Sequence, residues 1–201
     1  PPMKRKNNAE LQLTAERLIC ISLIALVFSG CLRTDSWYGI PVNYNAYDMS
    51  FKTVSRSVMT LKSFPEKFIY LSFGYLSCRG ICPGTGASLY RLSRELHDND
   101  IIFLFGEMMP EKNRLEKVQN HLNLFGERFT AFTADSEETM RSNAGKFHEY
   151  FDSGRGQISH TGNIYLIDGS RNIRLIYPDT CRDAYRMKED YEKLRKEYGR
   201  K

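Results

Sequence analysis

The sequence predicts an α/β fold in which a mixed β-sheet is flanked by helices. Two apolar runs, 67–75 and 101–105, are nearly continuous, as expected of central strands that are buried on both faces. Between them, Leu89, Leu92 and Leu96 recur on one helical face. This order indicates a parallel β-α-β unit with a right-handed crossover. With 201 residues, 41% of them hydrophobic, the chain is long enough for one globular domain with a substantial core.

The elements that follow are predicted from the same periodicities. They are a helix marked by Leu115, Val118, Leu122 and Phe125, a strand at 129–134, a helix with the core stripe Met140, Ala144, Phe147 and Phe151, a hairpin around Asp168-Gly169, and a charged helix over 180–198. Before the first buried strand, residues 34–63 predict a linker and then one or two short strands at 54–61. This order, with two cysteines at the first strand-to-helix junction, indicates a thioredoxin-like architecture.

The charge distribution argues against nucleic-acid binding. A formal net charge of +5 is modest for this length, and the Lys and Arg residues are scattered rather than arranged in a stripe. The basic excess lies partly at the two ends of the chain, as is typical of solvated tails.

The N-terminal region predicts export and attachment to a membrane. A basic stretch precedes the apolar run 18–32, which is shorter than the roughly twenty residues of a membrane span and fits a secretory signal. Ser29-Gly30-Cys31 resembles a bacterial lipoprotein cleavage box in which Cys31 becomes acylated, and an uncleaved anchor is the alternative. We therefore divide the chain into a signal or anchor (3–31), a linker with lead-in strands (32–63) and a folded domain (64–201). The expected location is the periplasmic face of the bacterial inner membrane.

The cysteine arrangement indicates chemistry at Cys78 and Cys82. Cys20 and Cys31 lie in the N-terminal region, which leaves three cysteines for the folded domain, an odd number that excludes a fully paired monomer. Cys78 and Cys82 follow the first buried strand, where sites gather in open α/β sheets. A nearby helix N-terminus there favours the thiolate. The pair could be a structural disulfide, a redox pair or half of a metal site. The structural disulfide is the weakest interpretation, because closing so short a loop constrains the unfolded chain little.

A histidine favours the metal site over the redox pair. The Cys-x3-Cys spacing is one residue longer than in the usual dithiol motif. His160 stands just before the fourth strand, where thioredoxin-like redox enzymes place a proline, and no proline occurs between Pro110 and Pro178. Two thiolates and one imidazole form a ligand set that suits copper.

These residues resemble the SCO/SenC family, whose members help load copper into cytochrome c oxidase. The resemblance covers 68–177 and depends on "FGYLSCRGICP" and on the histidine that leads into "YLID". It implies a thioredoxin-like fold, a membrane tether and an exported site in which Cys78, Cys82 and His160 bind copper as Cu(I) or Cu(II). The implied partner is a copper-accepting oxidase subunit or another copper protein. Acidic residues that are common in the family are replaced here by Gly80 and Ser159.

The predicted function is therefore that of a membrane-tethered copper chaperone for cytochrome c oxidase assembly. The alternative is a thiol-disulfide oxidoreductase in which Cys78 and Cys82 are the catalytic pair and keep a partner's cysteines reduced. A copper-responsive sensor is a third class. Residues with a simpler interpretation are Met108 and Met109 (edge packing or partner contact), His97, His121 and His148 (surface), and Cys181 (a lone thiol opening the last helix).

Overall fold

The described part of the chain contains ten strands and four helices. The structure is a computed structural model and describes residues 36–55, 57–75, 81–109, 114–152 and 159–199, with the backbone alone at 81, 82, 151, 152 and 159. The strands are β1 (Ile40–Asn45), β2 (Phe51–Lys52), β3 (Val58–Met59), β4 (Phe68–Gly74), β5 (Ile101–Glu107), β6 (Phe129–Phe132), β7 (Phe151–Asp152), β8 (Ser159–His160), β9 (Ile164–Ile167) and β10 (Asn172–Tyr177). The helices are α1 (Ile81–Glu95), α2 (Arg114–Asn123), α3 (Glu137–Gly145) and α4 (Ala184–Tyr198), and a 3-10 turn covers Leu61–Ser63.

A six-stranded mixed sheet forms the centre of the fold, in the order β1-β10-β9-β4-β5-β6. β4, β5 and β6 are parallel, whereas β9 pairs with β4 and β10 in antiparallel fashion. The predicted β-α-β unit and the β9–β10 hairpin are therefore confirmed, and so is the predicted mixed sheet flanked by helices.

Alternate side chains of β4 enter two separate hydrophobic cores. Ile69, Leu71 and Phe73 pack in a core that includes the buried face of α3. Phe68 and Tyr70 pack in the opposite core with apolar side chains of α1, α2 and α4. Because successive side chains of a strand point to opposite faces, a strand covered on both faces needs the nearly continuous apolar run seen in this sequence.

The predicted lead-in region contributes an edge strand to the main sheet. β1 lies inside the stretch that the sequence predicts to be a linker, and it pairs antiparallel with β10. Its side chains are exposed or half-buried, and Pro41 lies within it. Proline is tolerated in an edge strand. Of the predicted short strands at 54–61, only β3 lies in that range, and it pairs with β2, which precedes the range, in a separate two-stranded sheet.

Two helix boundaries differ from the prediction. α3 ends at Gly145, and His148 adopts a positive φ of 57°, so the helix does not continue to Phe151, which begins β7. The last helix begins at Ala184 because the Asp183 side chain accepts a hydrogen bond from the Arg186 N–H. Cys181 therefore lies in the turn before this helix rather than opening it.

None of the helices within the described ranges is both long and apolar enough to cross a bilayer. The predicted signal or anchor at 3–31 lies outside those ranges.

We expect Gly106→Ala to destabilise the fold by about 2 kcal/mol, because overpacking a filled core has a cost of this order. Gly106 is buried in β5, and an added Cβ would lie 2.7 Å from Met140 Cε and Phe132 Cζ and 2.8 Å from Phe73 Cδ1. Urea denaturation measures the change. Gly145→Ala is the matched control, because its added Cβ would meet nothing within 4 Å. Equal stability of both variants would contradict the prediction.

Candidate metal centre

The three predicted copper ligands differ in what the structure describes of them. His160 is the last residue of β8, and its backbone pairs with Phe151 of β7. Cys82 is the second residue of α1, with its backbone described. Cys78 lies outside the described residues. The part of the chain that is described contains no group of three His, Cys, Asp or Glu side chains that could hold a metal ion.

The imidazole of His160 is buried beside a carboxylate. Its side chain is 2% exposed, and Nδ1 lies 3.5 Å from Oε1 of Glu149, whose side chain is 0% exposed. This separation exceeds an ordinary N–H···O hydrogen bond, so the contact in this conformation is electrostatic. The two residues are 11 positions apart in the chain, and the β7–β8 hairpin brings them together.

Glu149 is held from several sides. Gly162 N–H donates to Oε1, and the Tyr165 hydroxyl donates to Oε2 at 2.8 Å. Burial by itself raises the pKa of the Glu149 carboxyl, but the interactions with His160, Thr161, Tyr165 and Gly162 outweigh burial and bring the pKa below its ordinary value. Burial and the Glu149 charge raise the pKa of Tyr165. Glu149 is therefore a carboxylate, and Tyr165 a neutral donor, at neutral pH.

The two ends of the cysteine segment line one cavity. Tyr75 immediately follows β4, three residues before Cys78, and its ring contacts the His160 ring edge-on at a centroid distance of 6.1 Å. Tyr75 and Pro83 line the same cavity of about 520 Å³, which is otherwise mostly apolar. The chain thus enters this segment beside His160 and leaves it next to the same cavity.

Arg182 connects the start of α1 with the loop that follows His160. Its Nη2 donates to Gly162 O at 2.9 Å, and its Nη1 lies 3.4 Å from the position that a Cβ on Gly84 would take. Gly84 is two residues after Cys82 in α1. A fixed guanidinium near a helix N-terminus favours negative charge there, which includes thiolate charge.

The remaining candidate residues have simpler roles. Met108 is fully buried in the core that includes α3, and Met109 is half-buried with its N–H donating to Glu107 Oε1. The exposed histidines are His97, His121 and His148, as predicted. Cys181 is partly exposed and forms no disulfide within the described part of the chain.

Sequence reasoning did not find Glu149, Tyr75 or Arg182. Glu149 follows the end of α3 in a stretch without periodicity, and Arg182 lies in a turn that was predicted to be helical. Tyr75 is the last residue of the apolar run 67–75, which predicts only that it ends a buried strand. Ser159 precedes the histidine in the sequence, and the acid beside the imidazole is Glu149.

Comparison with known proteins gives one consistent result. The SCO1/SenC family model matches residues 44–196. A SCO2-like protein of Rickettsia typhi is 29% identical over 135 residues, which are 62% of this chain and 64% of that protein. The chain spans 57% and 64% of the length of the two Rickettsia SCO2-like relatives that it matches.

Solved structures share the fold at low sequence identity. The copper-bound ScoI of Arabidopsis thaliana superposes with a TM-score of 0.66 at 20% identity, covering 76% of this chain and 99% of that one. BsSco, a member of the Sco family of cytochrome c oxidase assembly proteins with an identified disulfide switch, gives a TM-score of 0.59 at 18% identity, covering 70% and 86%. The predicted thioredoxin-like architecture is thus the architecture of these Sco proteins.

Proposed function

The chain belongs to the SCO1/SenC family, and from this premise we propose that it binds copper and delivers it during assembly of cytochrome c oxidase. The proposed ligands are the thiolates of Cys78 and Cys82 and the imidazole of His160. Copper is the cargo in this proposal, and the acceptor is a copper-binding oxidase subunit or another copper protein.

The observation that carries the proposal is the contact between Tyr75 and His160. It brings the chain that leads into Cys78 next to the imidazole, although the two parts are separated by 85 positions in the sequence. Arg182 provides a second link, between the loop after His160 and the first turn of α1, which contains Cys82. Burial of the imidazole to 2% side-chain exposure suits a ligand that must be kept in one orientation.

The proposed mechanism uses the soft donors for Cu(I). Two thiolates and one neutral imidazole satisfy Cu(I), and the ion leaves by stepwise exchange of these ligands for those of the acceptor. If Cys78 and Cys82 are oxidised to a disulfide, both sulfur donors are lost as thiolates, so copper binding depends on the redox state of the pair.

The same pair supports a second candidate function, thiol-disulfide exchange with a protein partner. In that reaction Cys78 and Cys82 become a disulfide while a disulfide of the partner is reduced to two thiols. The disulfide switch identified in BsSco, which has the same fold, supports this alternative.

We further propose that the domain is exported and held at the membrane. The apolar run 18–32 and the Ser29-Gly30-Cys31 box support acylation of Cys31, with an uncleaved anchor as the alternative. A tether would keep the copper site near a membrane-embedded oxidase.

Titration of the reduced protein with Cu(I) against a competing chelator tests the copper proposal. We expect one Cu(I) per chain, and we expect His160→Ala to weaken binding by more than the ~10–100-fold that outer partners of a ligand contribute. His97→Ala is the control, because that histidine is exposed beyond the C-terminal end of α1 and does not line the cavity shared by Tyr75 and Pro83. If His160→Ala leaves the affinity unchanged while thiol-disulfide exchange remains fast, the oxidoreductase is the better description.

A further inference from the structure

We propose that Glu149 is a positioning residue that keeps the proton of the neutral His160 imidazole on Nδ1 and so leaves Nε2 as the copper-binding nitrogen. The proposal rests on the proposed function in one respect, namely that His160 is a copper ligand. Its structural part, the tautomer of His160, is independent of copper.

His160 and Glu149 form a buried pair whose electrostatics favour one tautomer of the imidazole. Oε1 of Glu149 faces Nδ1 of His160 at 3.5 Å, and neither side chain is more than 2% exposed. A lone pair on Nδ1 would be directed at a carboxylate oxygen in a medium that screens charge poorly, which is unfavourable. A proton on Nδ1 turns the same contact into an attraction. The neutral ring then carries its lone pair on Nε2.

Two hydrogen bonds keep the Glu149 carboxylate from turning away from the ring. Gly162 N–H holds Oε1, the same oxygen that faces the imidazole, and the Tyr165 hydroxyl holds Oε2 at 2.8 Å. Tyr165 lies in β9 and is itself fully buried in the core that includes α3. Glu149 thereby connects His160 to the rigid central sheet, although His160 itself lies in the small β7–β8 hairpin.

The Glu149 carboxylate also affects His160 as a copper ligand. A carboxylate behind a metal-binding imidazole fixes the ring orientation and makes the other nitrogen a stronger donor. Loss of such a partner costs about 10–100-fold in metal affinity. We expect a loss in this range from removal of the Glu149 carboxylate, and a smaller one from a variant that keeps an oxygen facing Nδ1.

The experiment compares three variants with the wild-type protein. Glu149→Leu removes both oxygens, Glu149→Gln keeps one oxygen without the charge, and Tyr165→Phe removes the bond to Oε2 while leaving the Oε1 contact with His160. The first readout is ¹⁵N NMR of the His160 ring nitrogens in metal-free reduced protein, at a pH where the ring is neutral. The second is Cu(I) affinity against a competing chelator.

We expect the wild type and Tyr165→Phe to show a protonated Nδ1 and a bare Nε2. Glu149→Leu should lose this preference and bind Cu(I) about 10–100-fold more weakly. Glu149→Gln should retain the proton on Nδ1 and lose less Cu(I) affinity than Glu149→Leu. Its Cu(I) affinity tests the proposal if Glu149→Leu does not fold. A bare Nδ1 in the wild type or an unchanged tautomer in Glu149→Leu would overturn the proposal, and so would wild-type Cu(I) affinity in Glu149→Gln if Glu149→Leu does not fold.

The same experiment separates this proposal from the proposed function. If Glu149→Leu changes the tautomer but His160→Ala leaves Cu(I) affinity unchanged, the copper site fails and the positioning of the imidazole by Glu149 is supported. If His160→Ala weakens Cu(I) binding while the Glu149 variants leave both tautomer and affinity unchanged, the copper site stands and the positioning role is refuted.

Discussion

Replacing both Cys78 and Cys82 with serine is expected to abolish tight binding of Cu(I) by the reduced protein. The double substitution removes both soft thiolates from the proposed site. The remaining imidazole alone is a poor site for Cu(I), an ion that prefers sulfur donors. The loss should exceed the ~10–100-fold effect of an outer partner such as Glu149. Competition with a Cu(I) chelator under anaerobic conditions measures it, and circular dichroism confirms that the variant is folded.

Cys181→Ser is the matched control for the double substitution. Cys181 lies in the turn before α4, and its N–H donates to Pro178 O, an interaction that serine keeps. We expect its affinity for Cu(I) to equal that of the wild type. Wild-type affinity in the Cys78/Cys82 variant, or its loss in Cys181→Ser, would show that copper is bound elsewhere in the chain.

Asp190→Ala is expected to lower the free energy of unfolding by about 3 kcal/mol, since hydrogen bonds to a charged group are strong and a buried unsatisfied N–H is costly. Asp190 is 1% exposed. Its carboxylate accepts from Tyr38 N–H at 3.0 and 3.1 Å and from the buried Gly39 N–H at 2.9 Å. These bonds hold the start of β1 against α4. Urea denaturation, followed by circular dichroism, measures the effect.

Two comparisons make the Asp190 prediction specific. Asp190→Asn keeps one carbonyl oxygen as an acceptor and should lose less stability than Asp190→Ala. Glu189→Ala replaces the exposed neighbour on α4 and should stay within about 0.5 kcal/mol of the wild type. The same stability for all three variants would mean that Asp190 does not anchor β1. The Cu(I) affinity of the folded Asp190 variants should be unchanged, because β1 lies at the edge of the sheet.

The central elements were predictable because their signals are local. The apolar run of β4 needs both faces covered, and the sequence around Asp168-Gly169 turns the chain between β9 and β10. Boundaries were less predictable. The end of α3 depends on a positive φ at His148, and the start of α4 depends on capping by Asp183, neither of which changes the hydrophobic periodicity.

The sequence by itself determined the family and predicted the kind of chemistry. Two cysteines after the strand β4, with His160 shortly before the strand β9, predicted a copper site of SCO/SenC type. Family membership is confirmed by the match over residues 44–196. Only the tertiary structure decided which groups surround the histidine. Glu149 reaches His160 across a hairpin, and Asp190 reaches Gly39 across 151 positions. Periodicity records which face of an element is buried, whereas contacts between buried polar groups depend on how separate elements pack.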